Sequence, residues 1–369
     1  MILYGDITHD SRVRKEASTL VQQGWRVIVL CIVFDFMPHL ALEEEIDGYT
    51  VKRILAQDKP KLQKFISIIT QASRYLRKLN ARIYHAHDFS GLVPLAFAGL
   101  WHKAFVYDSH ELFFERGDKT IWDYLRPIEK FMAQRAQATI TVNDSIAGIL
   151  AKSLEIPKPI ILRNVVDLRS ISNQAPLSYN VADKKIIVHS GGITYGRNLP
   201  ELVSALKYLP EEFVLVLMGK GVLEASLLEQ AKIDNTSDRL KIISAVRPHE
   251  VVPTLSQADI GIALMASNVL NNVYSLPNKF FEAIAAGLPV LTSPNPELKR
   301  VIEHYDIGLT CDPSDPEVIA NSIQKMSEPE TYQTFKSNIE NARSDLNWEN
   351  EEKKLIKIYQ AIVSDDDKE

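Results

Sequence analysis

Short apolar runs of strand length alternate with amphipathic helical stretches twice over in this chain, and a polar, aperiodic gap separates the two series. That rhythm marks parallel α/β sheets. A strand buried on both faces reads as an unbroken apolar run, and a helical crossover must connect it to a parallel neighbour. In the first series the strands are residues 2–4, 27–33, 83–87, 104–108, 139–142 and 160–162. A helix is expected at 11–23, where Val13, Ala17, Leu20 and Val21 share a face and Gly24 ends it, with others around 92–100 and 121–137. The gap at 164–184 carries Ser170, Ser172, Asn173, Pro176 and Asn180, as a connection between domains would. Strands then resume at 185–189, 213–218, 240–243, 259–264, 289–292 and 307–311. The expected fold is α/β, with two Rossmann-like doubly wound parallel-sheet domains facing across a cleft. They span residues 1–165 and 184–345. A last helix near 350–363 is placed to pack back on the first domain, and Asp365, Asp366 and Asp367 form a fraying tail. Ligands of such sheets bind at the carboxyl ends of strands, near the point where strand order reverses.

With 46% hydrophobic and 24% charged residues the composition is that of a soluble globular protein. No run reaches the roughly 18–20 apolar residues of a membrane span, and the N-terminus opens into a strand without a charged leader. The two cysteines, Cys31 and Cys311, support neither a disulfide framework nor a thiolate metal site, so a reducing cytoplasm is expected. Residues 59–82 carry seven basic residues (Lys59, Lys61, Lys64, Arg74, Arg77, Lys78 and Arg82) and no acid. Leu62, Phe65, Ile66, Ile69, Ser73 and Leu76 recur there at helical spacing. Two readings stand: a solvated helix over a buried apolar stripe, or a helix that binds anionic lipid at the inner face of the membrane. Nucleic acid is not an expected partner.

The most informative stretch is 275–290, SLPNKFFEAIAAGLPV. Pro277 suits a helix start, and Gly287 with Pro289 closes the helix. Lys279 then sits in the first turn, where a cation opposes the helix dipole by about 0.3–1 kcal/mol unless an anion occupies that end. Glu282 follows one turn later, within reach of a sugar hydroxyl attached to such an anion. The alternative is a core helix with an ordinary surface pair, worth about 0.2–0.5 kcal/mol. Residues 190–198, SGGITYGRN, supply three glycines after a strand, and Arg197 is able to fork onto a phosphate; a plain tight turn is the other reading. Gly219 opens a third glycine loop, Gly219-Lys220-Gly221. Neither the Walker spacing nor G-x-G-x-x-G is present.

These segments, with the Ser256-Gln257-Ala258-Asp259 step and Asn164-Val165-Val166-Asp167, resemble the retaining GT-B glycosyltransferases of family 4. The resemblance runs over nearly the whole chain and implies transfer of a sugar from a nucleoside-diphosphate sugar to a glycan or lipid-linked acceptor, in cell-surface polysaccharide or glycoconjugate synthesis. It implies that Gly191, Gly192, Arg197, Gly219, Leu276, Pro277, Asn278, Lys279 and Glu282 hold the donor. Glu282 would meet the ribose while Arg197 and Lys279 act catalytically on the leaving diphosphate. Two positions depart from the pattern: an arginine of the family is Gly192 here, and the first glutamate of its E-x7-E pair is Tyr274. Tyr107-Asp108-Ser109-His110-Glu111 is similar to the segment whose histidine lies beside the transferred sugar, which makes His110 the third catalytic candidate.

Asp10 and Arg12, in the loop after the first strand, and His87 with Asp88, ending another, complete the expected acceptor side. His85 and His87 share a strand face with no third or fourth ligand evident in sequence, so metal ligation, a lining of the acceptor cleft and a hydrogen-bonded structural pair all stand. No metal or other cofactor is expected, because the only Asp cluster lies in the tail and cationic side chains take a metal's place at the diphosphate. The competing functions are a catalytically silent nucleotide-binding partner, suggested by Tyr274 and Gly192, and a sugar-nucleotide epimerase or phosphorylase on a similar fold.

Overall fold

The computed structural model describes all residues except 35–39, 57–59, 116–120, 173, 177, 178, 180–182, 268 and 367–369. The chain divides into two compact units, Met1–Arg163 with Glu351–Glu369, and Asn164–Asn350.

The first unit is built from β1 (Ile2–Tyr4), α1 (Ser11–Gln22), β2 (Ile28–Val33), β3 (Glu43–Ile46), β4 (Tyr49–Leu55), α2 (Lys61–Leu79), β5 (Tyr84–His87), α3 (Asp88–Phe97), β6 (Phe105–Ser109), α4 (Arg126–Ala133), β7 (Ala138–Thr141), α5 (Asp144–Leu154) and β8 (Ile160–Ile161). Its sheet runs β3-β4-β2-β1-β5-β6-β7-β8. All neighbours are parallel except the hairpin β3·β4. That hairpin is absent from the sequence reading, since Glu43, Glu44 and Glu45 make an edge strand without an apolar run. Its two-residue turn is Asp47-Gly48, with φ of 48° and 83°, the left-handed pair that matches strand twist. Order reverses between β1 and β5, so the loops after β1, β5 and β6 meet at one switch point. At Gly91 in α3 a Cβ would stand 2.8 Å from the carbonyl of Ile2, so glycine lets this helix lie against β1.

The second unit contains β9 (Lys185–Ser190), α6 (Leu199–Ala205), β10 (Phe213–Met218), α7 (Glu224–Ile233), β11 (Leu240–Ile243), α8 (Val251–Leu255), β12 (Ile260–Ala263), α9 (Leu270–Val273), α10 (Asn278–Ala285), β13 (Val290–Thr292), α11 (Pro296–Tyr305), β14 (Gly308–Thr310), α12 (Pro316–Met326) and α13 (Pro329–Asp345). Its six strands are all parallel, in the order β11-β10-β9-β12-β13-β14, with the reversal between β9 and β12. Ile187, Leu215, Leu217 and Ile262 form the sheet side of the core against Leu202, Leu227, Ile319 and Phe335. α14 (Trp348–Asp366) ends the described chain, and from Glu351 on it belongs to the first unit, where the Tyr359 hydroxyl lies 2.9 Å from His85 Nδ1.

α2 differs from its expected apolar stripe. Phe65, Ile68, Ile69, Ala72, Ser73 and Leu76 are buried, but Leu62 and Ile66 are exposed, at 57% and 56%. They share the helix with exposed Lys61, Arg74, Arg77 and Lys78; Lys59 lies outside the described residues. No described helix is long and apolar enough to cross a membrane. Cys31 and Cys311 are free and buried.

Candidate functional site

In the second unit the carboxyl end of β9 meets the start of α10. Ser190 Oγ donates a 3.0 Å hydrogen bond to Glu282 Oε2, which fixes the carboxylate at the switch point. α10 begins after Pro277, whose extended backbone (φ −73°, ψ 150°) provides no side-chain cap, and no acid occupies its first turn. Lys279 therefore stands at an uncapped helix start, 5% exposed, with Nζ donating 3.0 Å to the Leu264 carbonyl just past β12. Burial pushes its amine well below the ordinary value, and the Arg197 charge adds to that, against the pull of Glu282. Arg197 is half-buried, lowered by burial too, and among the described residues its Nε reaches only Thr194 Oγ1, at 3.3 Å. Behind them His189 is fully buried and held neutral, first by burial and then by Lys279 and Arg197. The result is a cluster of basic side chains at one end of the sheet.

The glycines around it serve two purposes. A Cβ on Gly219 would lie 1.9 Å from the Gly191 carbonyl oxygen, so that glycine packs loop against loop. Gly191, at φ 110°, and Gly192 instead face Arg197, whose guanidinium nitrogens lie 3.8 Å from where their Cβ atoms would be. Leu276 is buried, and Asn278 accepts from Asn164 Nδ2 at 2.8 Å. Tyr274 follows α9, half-buried.

In the first unit a second cluster forms at the β1/β5 switch point. Arg12 is 2% exposed and donates to both Asp108 oxygens at 2.8 Å and to the Leu162 carbonyl at 2.7 Å. Glu16 lies one turn on, 3.0 Å from Arg12 Nε. His87 Nδ1 is 3.2 Å from His110 Nε2 and 3.4 Å from Asp108 Oδ2, and its ring stacks on His85 at 4.4 Å. His110 Nε2 lies 3.3 Å from Asp108 Oδ2, and its Nδ1 is 3.5 Å from Asp88 Oδ2. Asp88 also accepts from the His110 backbone N–H at 2.9 Å, from a left-handed φ of 54° that is costly for a non-glycine residue.

This geometry corrects the acceptor side. Arg12 and His87 are turned into the interior and present nothing to a ligand, because Asp108 claims them; Asp10 caps α1 by accepting from Val13 N–H at 3.0 Å. His110 and Asp88 keep partly exposed side chains, at 18% and 19%, and Asp10 is also partly exposed. Sequence reasoning missed Tyr359 and gave Glu16 and Asp108 no role of their own. The legible signal was a glutamate inside the Val13, Ala17, Leu20 stripe of α1, an apolar face where an unpaired carboxylate is rare.

Glu16, His85, His87 and Asp108 bring ligand-type atoms within 4.8 Å of one another, supplying the third and fourth groups that sequence left unseen. They do not fit a divalent cation. Arg12 already donates two hydrogen bonds to one of the carboxylates and lies beside the other. Two like unit charges about 4 Å apart repel by about 4 kcal/mol at an effective dielectric of 20, and a divalent ion doubles that. Burial and the Asp108 charge push Glu16 well up, toward the neutral acid. Burial would raise Asp108 as well, but Arg12 and His110 outweigh it and hold that carboxylate well below its ordinary value.

Residues 11–170 match the family described as Glycosyltransferase Family 4, and residues 176–345 match Glycosyl transferases group 1. The chain belongs to glycosyltransferase family 4. Among curated relatives this family 4 chain is 25% identical over 252 residues to chitobiosyldiphosphodolichol beta-mannosyltransferase of Debaryomyces hansenii, covering 61% of this chain and 52% of that one. It is 23% identical over 196 residues to N-acetyl-alpha-D-glucosaminyl L-malate synthase of Bacillus anthracis, covering 52% and 49%. The family 4 chain thus spans about half the length of these relatives. In fold it is similar to sucrose-phosphate synthase of Thermosynechococcus elongatus, at a TM-score of 0.77 and 17% identity over 98% of this chain and 99% of that one. It is also similar to Anabaena HepE solved with UDP-glucose, at a TM-score of 0.70 and 14% identity over 100% and 99%. These are GT-B structures, and the two parallel-sheet units here have that fold.

Proposed function

We propose that this chain is a retaining glycosyltransferase that moves a sugar from a nucleoside-diphosphate sugar to a glycan or lipid-linked acceptor. The observation that carries the proposal is the basic cluster of the second unit. Lys279 and Arg197 share one end of the sheet, at an uncapped helix start, and neither forms an ion pair among the described residues. Two partly desolvated basic side chains beside one carboxylate complement a diphosphate, and Glu282, anchored by Ser190, is placed for the ribose hydroxyls.

Loss of the diphosphate builds negative charge on the leaving oxygen. Lys279, Arg197 and the first N–H groups of α10 are fixed donors for that charge, and donors held in place before the reaction are the main way such a site lowers the barrier. Gly191 and Gly192 put no side chain beside the Arg197 guanidinium, whose nitrogens lie 3.8 Å from where their Cβ atoms would be. Turnover then needs no metal ion. Retention of the anomeric configuration follows the family resemblance. The relatives' names include both beta and alpha products, so stereochemistry is read from the product itself.

The first unit is assigned to the acceptor, with His110 and Asp88 at its open side. Polysaccharide or glycoconjugate synthesis agrees with relatives named for a dolichol-linked disaccharide and for amylovoran biosynthesis. A cytoplasmic enzyme at the inner membrane face agrees with α2, whose exposed Leu62 and Ile66 lie among basic residues. A thermal-shift screen of UDP-, GDP-, ADP- and dTDP-sugars, followed by anomeric coupling constants of the product, tests the proposal. One donor family should stabilise the protein, and its sugar should be transferred with retained configuration. Binding without transfer to any glycan or lipid-linked acceptor would favour a silent nucleotide-binding partner.

A further inference from the structure

We infer that His110 works as a fixed imidazolium: clamped between Asp88 and Asp108, it offers bound substrate a permanent positive charge and takes no proton as a base. Arg12, Asp88 and Asp108 are its positioning residues. The inference rests on the assignment of this unit to sugar transfer, but the charge state of His110 is a property of the fold alone.

Each ring nitrogen of His110 faces a carboxylate, Nε2 toward Asp108 at 3.3 Å and Nδ1 toward Asp88 at 3.5 Å. A neutral imidazole has one N–H and would leave a lone pair against one of those acids; only the cation suits both. Every element packed there adds titratable groups. α1 brings Asp10, Arg12 and Glu16, β5 brings His87, α3 brings Asp88 and β6 brings Asp108. The charge of Arg12 is committed to Asp108 through two hydrogen bonds. Glu16 is pushed toward its neutral acid, and burial holds His87 at about 4 and His85 lower than its ordinary value. His87 Nδ1 also lies 3.2 Å from His110 Nε2 and, kept neutral by burial, is free to accept from it, so the charges that face His110 are Asp88 and Asp108.

Burial alone would lower the His110 value, but the two carboxylates outweigh it and raise it to about 10. The sign follows from linkage. The folded value lies above the unfolded one, near 6.5, so the stabilisation is complete below about pH 6.5 and is lost as pH rises through 10. Across the physiological range both nitrogens keep their protons. Asp88 achieves its side of the clamp from a left-handed backbone, so the segment bears a conformational cost where the ring is held.

The test is ¹⁵N NMR of the full chain labelled at histidine, with His110 assigned by the His110→Gln variant. Two protonated ring nitrogens from pH 6 to 9 are expected, and Asp88→Asn should bring the titration down toward neutral pH. A His110 that titrates between pH 6 and 7.5 in the unmodified chain overturns the inference. Transfer assays then ask what the charge does. His110→Lys should retain at least about tenfold more kcat than His110→Gln, since a fixed charge is kept in one and lost in the other. Equal rates in the two variants would contradict an electrostatic role. In Asp88→Asn, kcat should fall as pH rises through the restored titration, while the unmodified chain shows no such limb between pH 6 and 8. If no sugar nucleotide is turned over at all, the proposed function fails, and the NMR result still decides the charge state.

Discussion

Removing the guanidinium of Arg12 would leave Asp108 buried without its bidentate partner, the situation in which a charge pair is most costly to break. Arg12→Ala should therefore lower unfolding free energy by about 3–5 kcal/mol in urea titration. Arg12→Lys should recover only part of this, because an ammonium cannot fork onto both oxygens. A loss below about 1 kcal/mol, the range of an exposed pair, would mean that the two are not buried as described. At Lys279 the residue-scale consequence is protonic. Its amine is pushed well down in the free protein by burial and by Arg197, and a bound diphosphate would restore its charge. In the pH range where the free amine titrates, nucleoside-diphosphate binding should accordingly take up protons, seen as a buffer-dependent calorimetric enthalpy, and Lys279→Ala should abolish that dependence. Lys279 could be singled out from sequence because a cation in a first helical turn breaks a local rule. Arg12 and His87 were legible as special but not as buried, since their burial is set by Asp108, 96 residues from Arg12 in sequence.

At the scale of the element, the Gly219 loop and α2 make separable predictions. Gly219→Ala would drive a methyl into the Gly191 carbonyl, with backbone rather than a flexible side chain in its way. The cost should be about 1–3 kcal/mol of stability, and donor affinity should weaken with it if the displaced Gly191 loop holds the phosphates as proposed. Unchanged melting temperature would contradict the loop-on-loop packing. α2 should bind anionic vesicles in a salt-sensitive way, each basic side chain near the surface contributing about 1 kcal/mol. Replacing exposed Leu62 and Ile66 with serine should weaken binding even at low salt, since their apolar contribution is unscreened. Equal partition onto neutral and anionic vesicles would leave α2 merely solvated. The strand and helix series was readable because parallel strands are apolar throughout. β3 was not, because its three glutamates form a polar edge whose pairing is set by the Asp47-Gly48 turn. The exposure of Leu62 and Ile66 was unreadable for a similar reason: helical spacing defines a face, and only the packing partners decide how far along it burial extends.

For the molecule as a whole, each unit brings its chemistry to the switch point of its own sheet, and the two clusters differ in kind. The first is nearly self-neutralising, with Arg12 and His110 set against Asp88 and Asp108. The second is not: among the described residues, Lys279 and Arg197 have no acid but the nearby Glu282. That imbalance is the reason to place the diphosphate in the second unit, and it also predicts that a chelator will leave turnover unchanged. Activity lost to chelation and restored by manganese would contradict this. The central claim is tested by calorimetry on Lys279→Ala and Glu282→Ala, each titrated with the nucleoside diphosphate selected by the donor screen and with its bare nucleoside. Lys279→Ala should weaken the diphosphate far more than the nucleoside. Glu282→Ala should weaken both, by about 1.5–3 kcal/mol for each charged hydrogen bond lost. If Lys279→Ala folds normally and binds the diphosphate as tightly as the unmodified chain, the anion does not lie at the start of α10 and the donor site is elsewhere.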